Sequence, residues 1–298
     1  MRDEFSAPPI SRPLPPVLRG KRIGIIGAGN MGQALVRGMV LAGRVRPHRV
    51  MVVEVAASKG HDLQRRYHVR LGTIRELARR CDAILLAVKP QDAAPVLGEL
   101  GRCLRVRRAG SCVVISIAAG LTIASLERQL GGRVPVVRVM PNLAATVGSS
   151  MSAIAASRRA TRAHRQIARA IVESVGDVVE LPERDFDVVT AISGSGPAYF
   201  FLLCQVLRDA GMRRGLSASV AERLAVRTAF GSAILATINF ERTREPLETL
   251  IRRVASKKGT TEAALKVFAR RKLSQIIDAG VAAAATRSKE LSCLLSKS

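Results

Sequence analysis

The stretch Ile23-Gly24-Ile25-Ile26-Gly27-Ala28-Gly29-Asn30-Met31-Gly32 decides how the first part of the chain folds. An apolar run of strand type leads straight into three glycines spaced GxGxxG, and a helix-forming segment follows. Gly27 permits the tight turn, Gly29 lets the backbone approach a pyrophosphate, and Gly32 lets helix and strand pack closely. The helix start at Asn30 and Met31 then presents free N–H groups to phosphate. A plain strand–helix turn could use one of these glycines. The match on both flanks predicts a dinucleotide-binding unit.

Outward from this motif, short β-branched runs alternate with longer mixed segments. The runs lie at 22–26, 50–55, 83–88, 112–117 and 134–140, and helices are expected at 30–41, 63–67, 74–80 and 93–104. Such alternation predicts an α/β fold, a mainly parallel sheet with helices on both faces. A second element of the motif is an acidic residue about 20 residues further on, closing the second strand. Glu54 follows Met51-Val52-Val53 in that place. A carboxylate there accepts from the adenosine ribose hydroxyls and repels a 2′-phosphate, so NADH is favoured over NADPH. The other reading of Glu54 is an ordinary solvent-facing charge, and Lys59 is near enough in sequence to swing toward the site.

After about residue 181 the strand runs stop, and helices are expected at 197–210, 218–237, 247–254, 260–269 and 273–292. Their apolar faces are wide. Phe200, Phe201, Leu203, Cys204 and Leu207 nearly surround one of them, and 282–285 is a run of alanines. A helix apolar on most sides must be buried, which predicts a subunit interface built from these helices. The expected division is a proline-rich disordered tail at 1–20, a dinucleotide-binding domain at 21–182 and an all-α domain at 183–298.

The 298 residues are 48% hydrophobic, enough for a large core. No unbroken apolar run approaches the roughly 18 residues of a membrane span, and the start lacks the order of a secretion signal. A soluble, cytoplasmic protein without a membrane partner is expected. Five cysteines, an odd number without metal-ligand spacing, fit reduced structural thiols. His48, His61, His68 and His164 sit in charged contexts and are expected to be exposed. The net charge of +25 admits a nucleic-acid reading. With arginines spread along the chain, 3% aromatics and no nucleic-acid motif, no specific nucleic-acid partner is expected. An arginine-rich solvated surface explains the charge, and weak binding to polyanions follows from it.

Six segments, in order, resemble the Δ1-pyrroline-5-carboxylate reductase family. They are the glycine motif, Leu86-Ala87-Val88-Lys89-Pro90-Gln91, Ser116-Ile117-Ala118-Ala119-Gly120, Arg138-Val139-Met140-Pro141-Asn142, Ala191-Ile192-Ser193-Gly194-Ser195-Gly196-Pro197-Ala198-Tyr199 and Arg287-Ser288-Lys289-Glu290-Leu291-Ser292. They cover nearly everything but the tail. The Ser-Gly-Ser-Gly-Pro-Ala-Tyr run after Met-Pro-Asn is the most specific. The resemblance implies a Rossmann domain followed by a helical dimerisation domain, and reduction of the cyclic imine to proline with NAD(P)H. It also implies that Lys89, Pro90 and Asn142 line the nicotinamide side of the cleft, and that Ala87 and Val88 are among the cofactor-binding residues.

The family's Ser-Pro-Gly-Gly-Thr-Thr substrate loop is matched by Ser256-Lys257-Lys258-Gly259-Thr260-Thr261. The resemblance implies that Ser256, Gly259, Thr260 and Thr261 hold the substrate carboxylate. Hydroxyls and the free N–H groups of a helix start form an anion site. A plain cap by Thr260 or Thr261 is the other reading. Thr261 is the candidate proton donor to the imine nitrogen. Two lysines stand where the family has Pro and Gly, so Lys258 is strained if its position needs φ > 0. Leu143-Ala144 also replaces the family's Thr-Pro. These departures keep two alternatives open, a non-catalytic relative with a binding or regulatory role and a related imine reductase with another substrate.

Overall fold

The computed structural model describes residues 17–297. Most of the expected tail therefore lies outside the described residues. Its last four residues, 17–20, form a turn in which Leu18 is buried in the main core, so the tail ends earlier than expected.

The chain divides into two compact units. One runs to Gly194 and takes the chain back from Ala284; the other is Ser195–Ala283. The first unit holds β1 (Ile23–Ile26), α1 (Asn30–Leu41), β2 (Val50–Val53), α2 (Ala57–Tyr67), β3 (Arg70–Leu71), α3 (Ile74–Arg80), β4 (Ala83–Leu86) and α4 (Ala93–Leu104). It continues with β5 (Val113–Ser116), α5 (Ile123–Gln129), β6 (Val136–Met140), β7 (Ser150–Ala156), α6 (Arg162–Val172), β8 (Gly176–Glu180) and α7 (Phe186–Val189).

The strands form one sheet ordered β3-β2-β1-β4-β5-β6-β7-β8. Every neighbouring pair is parallel except β6 and β7. Successive side chains on a strand point to opposite faces, and the sequence supplies apolar residues for both. Ala83, Leu85, Val113 and Ile115 enter the core shared with Leu35 and Met39 of α1 and Ile167 and Ile171 of α6. Ile84, Leu86 and Val114 enter the other core with Leu77 of α3, Leu97 and Leu100 of α4 and Leu126 of α5. These near-continuous apolar strands need helices on both faces, as expected.

The compact division falls later than residue 182, for a physical reason. Phe186 is buried against Ala153 and Ala155, and the Arg138 guanidinium donates to Glu183 at 2.9 Å. Residues 183–194 are helical in sequence character but pack with the sheet. The chain from 284 onward returns to the same unit, where the Ser288 hydroxyl donates to Asp187 at 2.7 Å and Leu295 packs on the second core.

The second unit carries α8 (Gly196–Met212), α9 (Ala218–Arg242), α10 (Leu247–Val254), α11 (Thr260–Arg270) and the start of α12 (Leu273–Lys297). Much apolar surface is exposed here, including Phe200, Phe201, Leu203 and Leu207. Patches of this extent mark interaction surfaces. The stretch Glu183–Met212 is long and apolar enough to cross a bilayer by length and composition, and 17% of its most apolar window is buried. Charged and polar residues such as Arg184, Asp185, Asp187, Gln205, Arg208 and Asp209 interrupt it, so it is not an unbroken apolar run.

His164 is a second correction, because it is buried rather than exposed. Its Nδ1 accepts from the Thr161 N–H, and its backbone N–H donates back to the Thr161 hydroxyl, closing a capping box at the start of α6. Burial lowers its pKa, against a hydrogen bond with the Gly110 carbonyl. His48, His61 and His68 are exposed. Burial pushes the thiols of Cys81 and Cys112 up to about 12, where they stay protonated and unreactive.

Candidate active site

At the C-terminal edge of the sheet, the chain leaves β1 through Gly27, whose φ of 100° is open to glycine and strained for other residues. The Gly27 N–H donates to the Val53 carbonyl at 2.9 Å, and the Ala87 N–H donates to the Ile26 carbonyl at 2.8 Å. The turn is thereby locked between β2 and β4. A Cβ on Gly32 would overlap the Gly27 carbonyl oxygen and touch the Ala87 methyl at 3.4 Å. Close approach of α1 to the turn therefore requires glycine there. A Cβ on Gly29 would meet nothing within 4 Å. The protein leaves space at Gly29, and no side chain caps α1, which leaves the first-turn N–H groups at Asn30, Met31 and Gly32 for an anion. Uncapped helix start and open glycine together fit a pyrophosphate.

Glu54 closes β2 and turns back onto this loop. Its Oε2 accepts from the Ala28 N–H at 2.5 Å and its Oε1 from the Ala56 N–H at 2.9 Å. The carboxylate is thus not an idle solvent charge. Each oxygen keeps a lone pair for a further donor such as a ribose hydroxyl. Lys59 is exposed on α2. On the other side of β1, Ala87 and Val88 pack onto the two cores while Lys89 is exposed and Pro90 opens a 3-10 turn. The loops after β1 and β4 flank the point where strand order reverses, the usual ligand crevice of an open α/β sheet.

Asn142 follows β6 at the same edge. Its Oδ1 accepts from the Ala144 N–H at 3.1 Å, and its Nδ2 donates to the Ser193 hydroxyl at 3.3 Å. Ser193 in turn donates to the Met151 carbonyl at 2.8 Å, and the Asn142 N–H donates to Ser150 at 3.2 Å. Asn142 therefore builds its own turn and is anchored by two serines that sequence reasoning missed as partners. Ser193 stands in a π-helical turn, Thr190–Gly194, 51 residues further along the chain. No spacing rule could have paired it with Asn142.

The expected substrate loop belongs to the second unit. The Gly259 N–H donates to the Ser256 carbonyl at 2.9 Å, and Gly259, with φ −83°, is the N-cap of α11. Any preference for glycine there comes from crowding rather than torsion: a Cβ would press on the Ser256 hydroxyl, which can rotate, and sit 3.0 Å from the Ser256 carbonyl oxygen. Thr260 and Thr261 fall in the first turn, so neither is the cap. Their hydroxyls and that of Ser256 make no hydrogen bond among the described residues. Lys258 has φ 59°. The missing glycine is thus felt: a side chain in this region costs on the order of 1 kcal/mol. The Lys258 N–H donates to Glu262 at 2.6 Å, and Lys266 meets the same carboxylate at 3.1 Å. Both bonds hold Glu262 below the usual carboxylate range. We expect Lys258→Gly to raise the thermal midpoint by about 2 °C for about 1 kcal/mol. A lower midpoint in a thermal melt would show that the lysine adds more than its torsion costs.

Residues 183–291 match the family model described as pyrroline-5-carboxylate reductase dimerisation, and 22–120 match one described as NADP oxidoreductase, coenzyme F420-dependent. The pyrroline-5-carboxylate reductase of Mycobacterium leprae is 37% identical over 284 residues, covering 91% of this chain and 96% of that protein. The chain belongs to the pyrroline-5-carboxylate reductases. The crystal structure of a pyrroline-5-carboxylate reductase from Coxiella burnetii superposes with a TM-score of 0.84 at 32% identity, covering 91% of this chain and 98% of that one. That of the Plasmodium falciparum pyrroline carboxylate reductase with NADP bound gives 0.79 at 29%, covering 92% and 99%. The two departures in the loops leave the reductase fold intact. The protein is an NAD(P)H-dependent oxidoreductase that reduces 1-pyrroline-5-carboxylate to proline, and its helical unit is that of a homo-oligomer.

Proposed function

We propose how this reductase distributes its chemistry over its residues. Gly27, Gly29 and Gly32 shape the pyrophosphate site, with the N–H groups of Asn30 and Met31 turned to phosphate. Ala87, Val88, Lys89, Pro90 and Asn142 border the nicotinamide. NAD(P)H, when bound, supplies the hydride. Ser256, Gly259 and Thr260 hold the substrate carboxylate, and Thr261 donates to the imine nitrogen, which makes the adjacent carbon a better hydride acceptor. Two observations support this reading, one in each unit: each has a helix start that no side chain caps, set in a chemically distinct loop. One is glycine-lined and open at Gly29; the other bears three hydroxyls with no hydrogen-bond partner among the described residues.

Glu54 makes NADH the preferred cofactor in this reading. A 2′-phosphate would meet a carboxylate already committed to the Ala28 and Ala56 N–H groups, which fix its charge in place. Glu54→Ala is expected to lower the NADH-to-NADPH ratio of kcat/KM at least about tenfold, a change of about 1.4 kcal/mol. Steady-state assays with both cofactors read it directly. An unchanged ratio would remove Glu54 as the discriminating residue.

The enzyme works as a cytoplasmic homodimer, or a larger homo-oligomer, joined through the C-terminal helices. Exposed Phe200, Phe201 and Leu203 on α8, with Leu235 and Phe240 on α9, support that assembly.

A further inference from the structure

The net charge is not spread evenly over the sheet-bearing unit. Strands β2, β1, β4, β5, β6 and β7 lie side by side in that order. Five of them begin at one edge of the sheet, and β7, antiparallel to β6, ends there. The segments that make this edge are 42–49, 17–22, 78–82, 104–112, 130–135 and 157–161. Each brings an exposed arginine: Arg46, Arg19, Arg80, Arg108, Arg133 and Arg159, one per strand across the edge. None of the six forms an ion pair among the described residues. The only acid in the six segments is Asp82, which is matched by Lys21 at 3.7 Å. Among the described residues, the opposite edge, with the glycine loop, Glu54 and Asn142, has no such row.

We propose that this arginine edge docks the phosphate backbone of duplex nucleic acid, without reading bases, on the side of the sheet away from the cofactor loops. Adjacent strands stand about 4.8 Å apart, so the six span about 24 Å. A duplex presents one charge per about 1.7 Å of axis, hence about 14 phosphates over that length, of which about half face any one side. Six guanidinium groups in a row suit such a ladder better than a single compact anion. Arginine also matches phosphate oxygens bidentately. No Phe, Tyr or Trp lies in the six segments, so nothing there stacks on the bases of a single strand. Val106 is the one exposed large apolar side chain they offer, which leaves little to insert into a lipid surface.

The test titrates the full-length enzyme with a labelled 24-base-pair duplex over a range of salt. Binding is expected at micromolar protein, weakening steeply as salt rises. The triple variant Arg46→Gln, Arg108→Gln, Arg133→Gln should bind at least about tenfold more weakly, with a log–log salt slope smaller by about 3. Its reductase activity should match the parent enzyme, which shows that the fold is kept. A control triple variant on the helical unit, Arg223→Gln, Arg242→Gln, Arg270→Gln, should bind as the parent does. Equal losses in both variants would mean that net charge alone is at work and would overturn the proposal. Retention on phosphatidylserine vesicles without duplex binding would overturn it too.

Discussion

Gly32→Ala is expected to raise the dissociation constant for NAD(P)H about a hundredfold or more, a loss of about 3 kcal/mol. The added Cβ would overlap the Gly27 carbonyl oxygen, a backbone atom that cannot rotate aside. Behind it stands the Ala87 methyl at 3.4 Å, so the side chain has no second way out. Helix α1 must move off the turn, and the N–H groups of its first residues move with it. Overpacking of this kind costs typically about 1–3 kcal/mol of stability, so the variant should also melt earlier. Gly29→Ala separates the two effects. Its Cβ meets nothing in the protein, and the residue's φ of −69° suits alanine. The melting point should hold while cofactor affinity falls, because the methyl enters the space we assign to the pyrophosphate. Calorimetric titration with a thermal melt on each variant reads both quantities. Normal cofactor binding by a well-folded Gly29→Ala protein would show that the pyrophosphate lies elsewhere.

What made the glycine loop legible is that its requirements are local. Three glycines, the strand before them and the helix after them are contiguous, so sequence order alone carries the geometry. The same holds for α1, α3 and α4, whose apolar spacing marks both ends. Strand β7 is the opposite case. Ser150-Met151-Ser152-Ala153-Ile154-Ala155-Ala156 has few β-branched residues, and it becomes a strand because β6 and β8 pair with it on either side. Strand β3 is two residues long and exists through its register with β2. Helix α6 did leave a signal in Thr161, but its capping box is completed by His164 in place of the usual Glu or Gln.

The site divides along the same line. Glu54 could be placed at the end of β2 from spacing, yet its bond to the Ala28 N–H depends on the parallel register of β1 with β2. The strain at Lys258 turns on a backbone torsion that residue order does not carry, a φ of 59°. The crowding of Gly259 by Ser256 comes from a turn tight enough to put a Cβ 3.0 Å from the Ser256 carbonyl oxygen. The arginine edge is the clearest instance. Its members are scattered from 19 to 159 in sequence, and only the strand order collects them.

Thr261→Val is expected to lower kcat by about 10²–10⁴, the range of a positioned proton donor, with a small change in KM. The substitution keeps the shape and the β-branching of the side chain and removes only the hydroxyl. Folding should tolerate it, since Gly259 and not Thr261 is the N-cap of α11 and the hydroxyl serves no other described residue. Loss of rate then reports chemistry. A hydride can add to the imine carbon only as the ring nitrogen gains a proton, so withdrawing the donor raises the barrier to the chemical step and leaves ground-state affinity nearly intact. Thr260→Val is the matched contrast. If Thr260 holds the carboxylate, its loss weakens substrate and transition state alike, raising KM several-fold at near-constant kcat. The pH dependence sharpens the distinction: without a protein donor, the Thr261→Val enzyme should regain rate toward acid, where solvent protonates the imine. A Thr261→Val enzyme with altered KM alone would place Thr261 beside Ser256 as a carboxylate ligand and leave the proton to come from water.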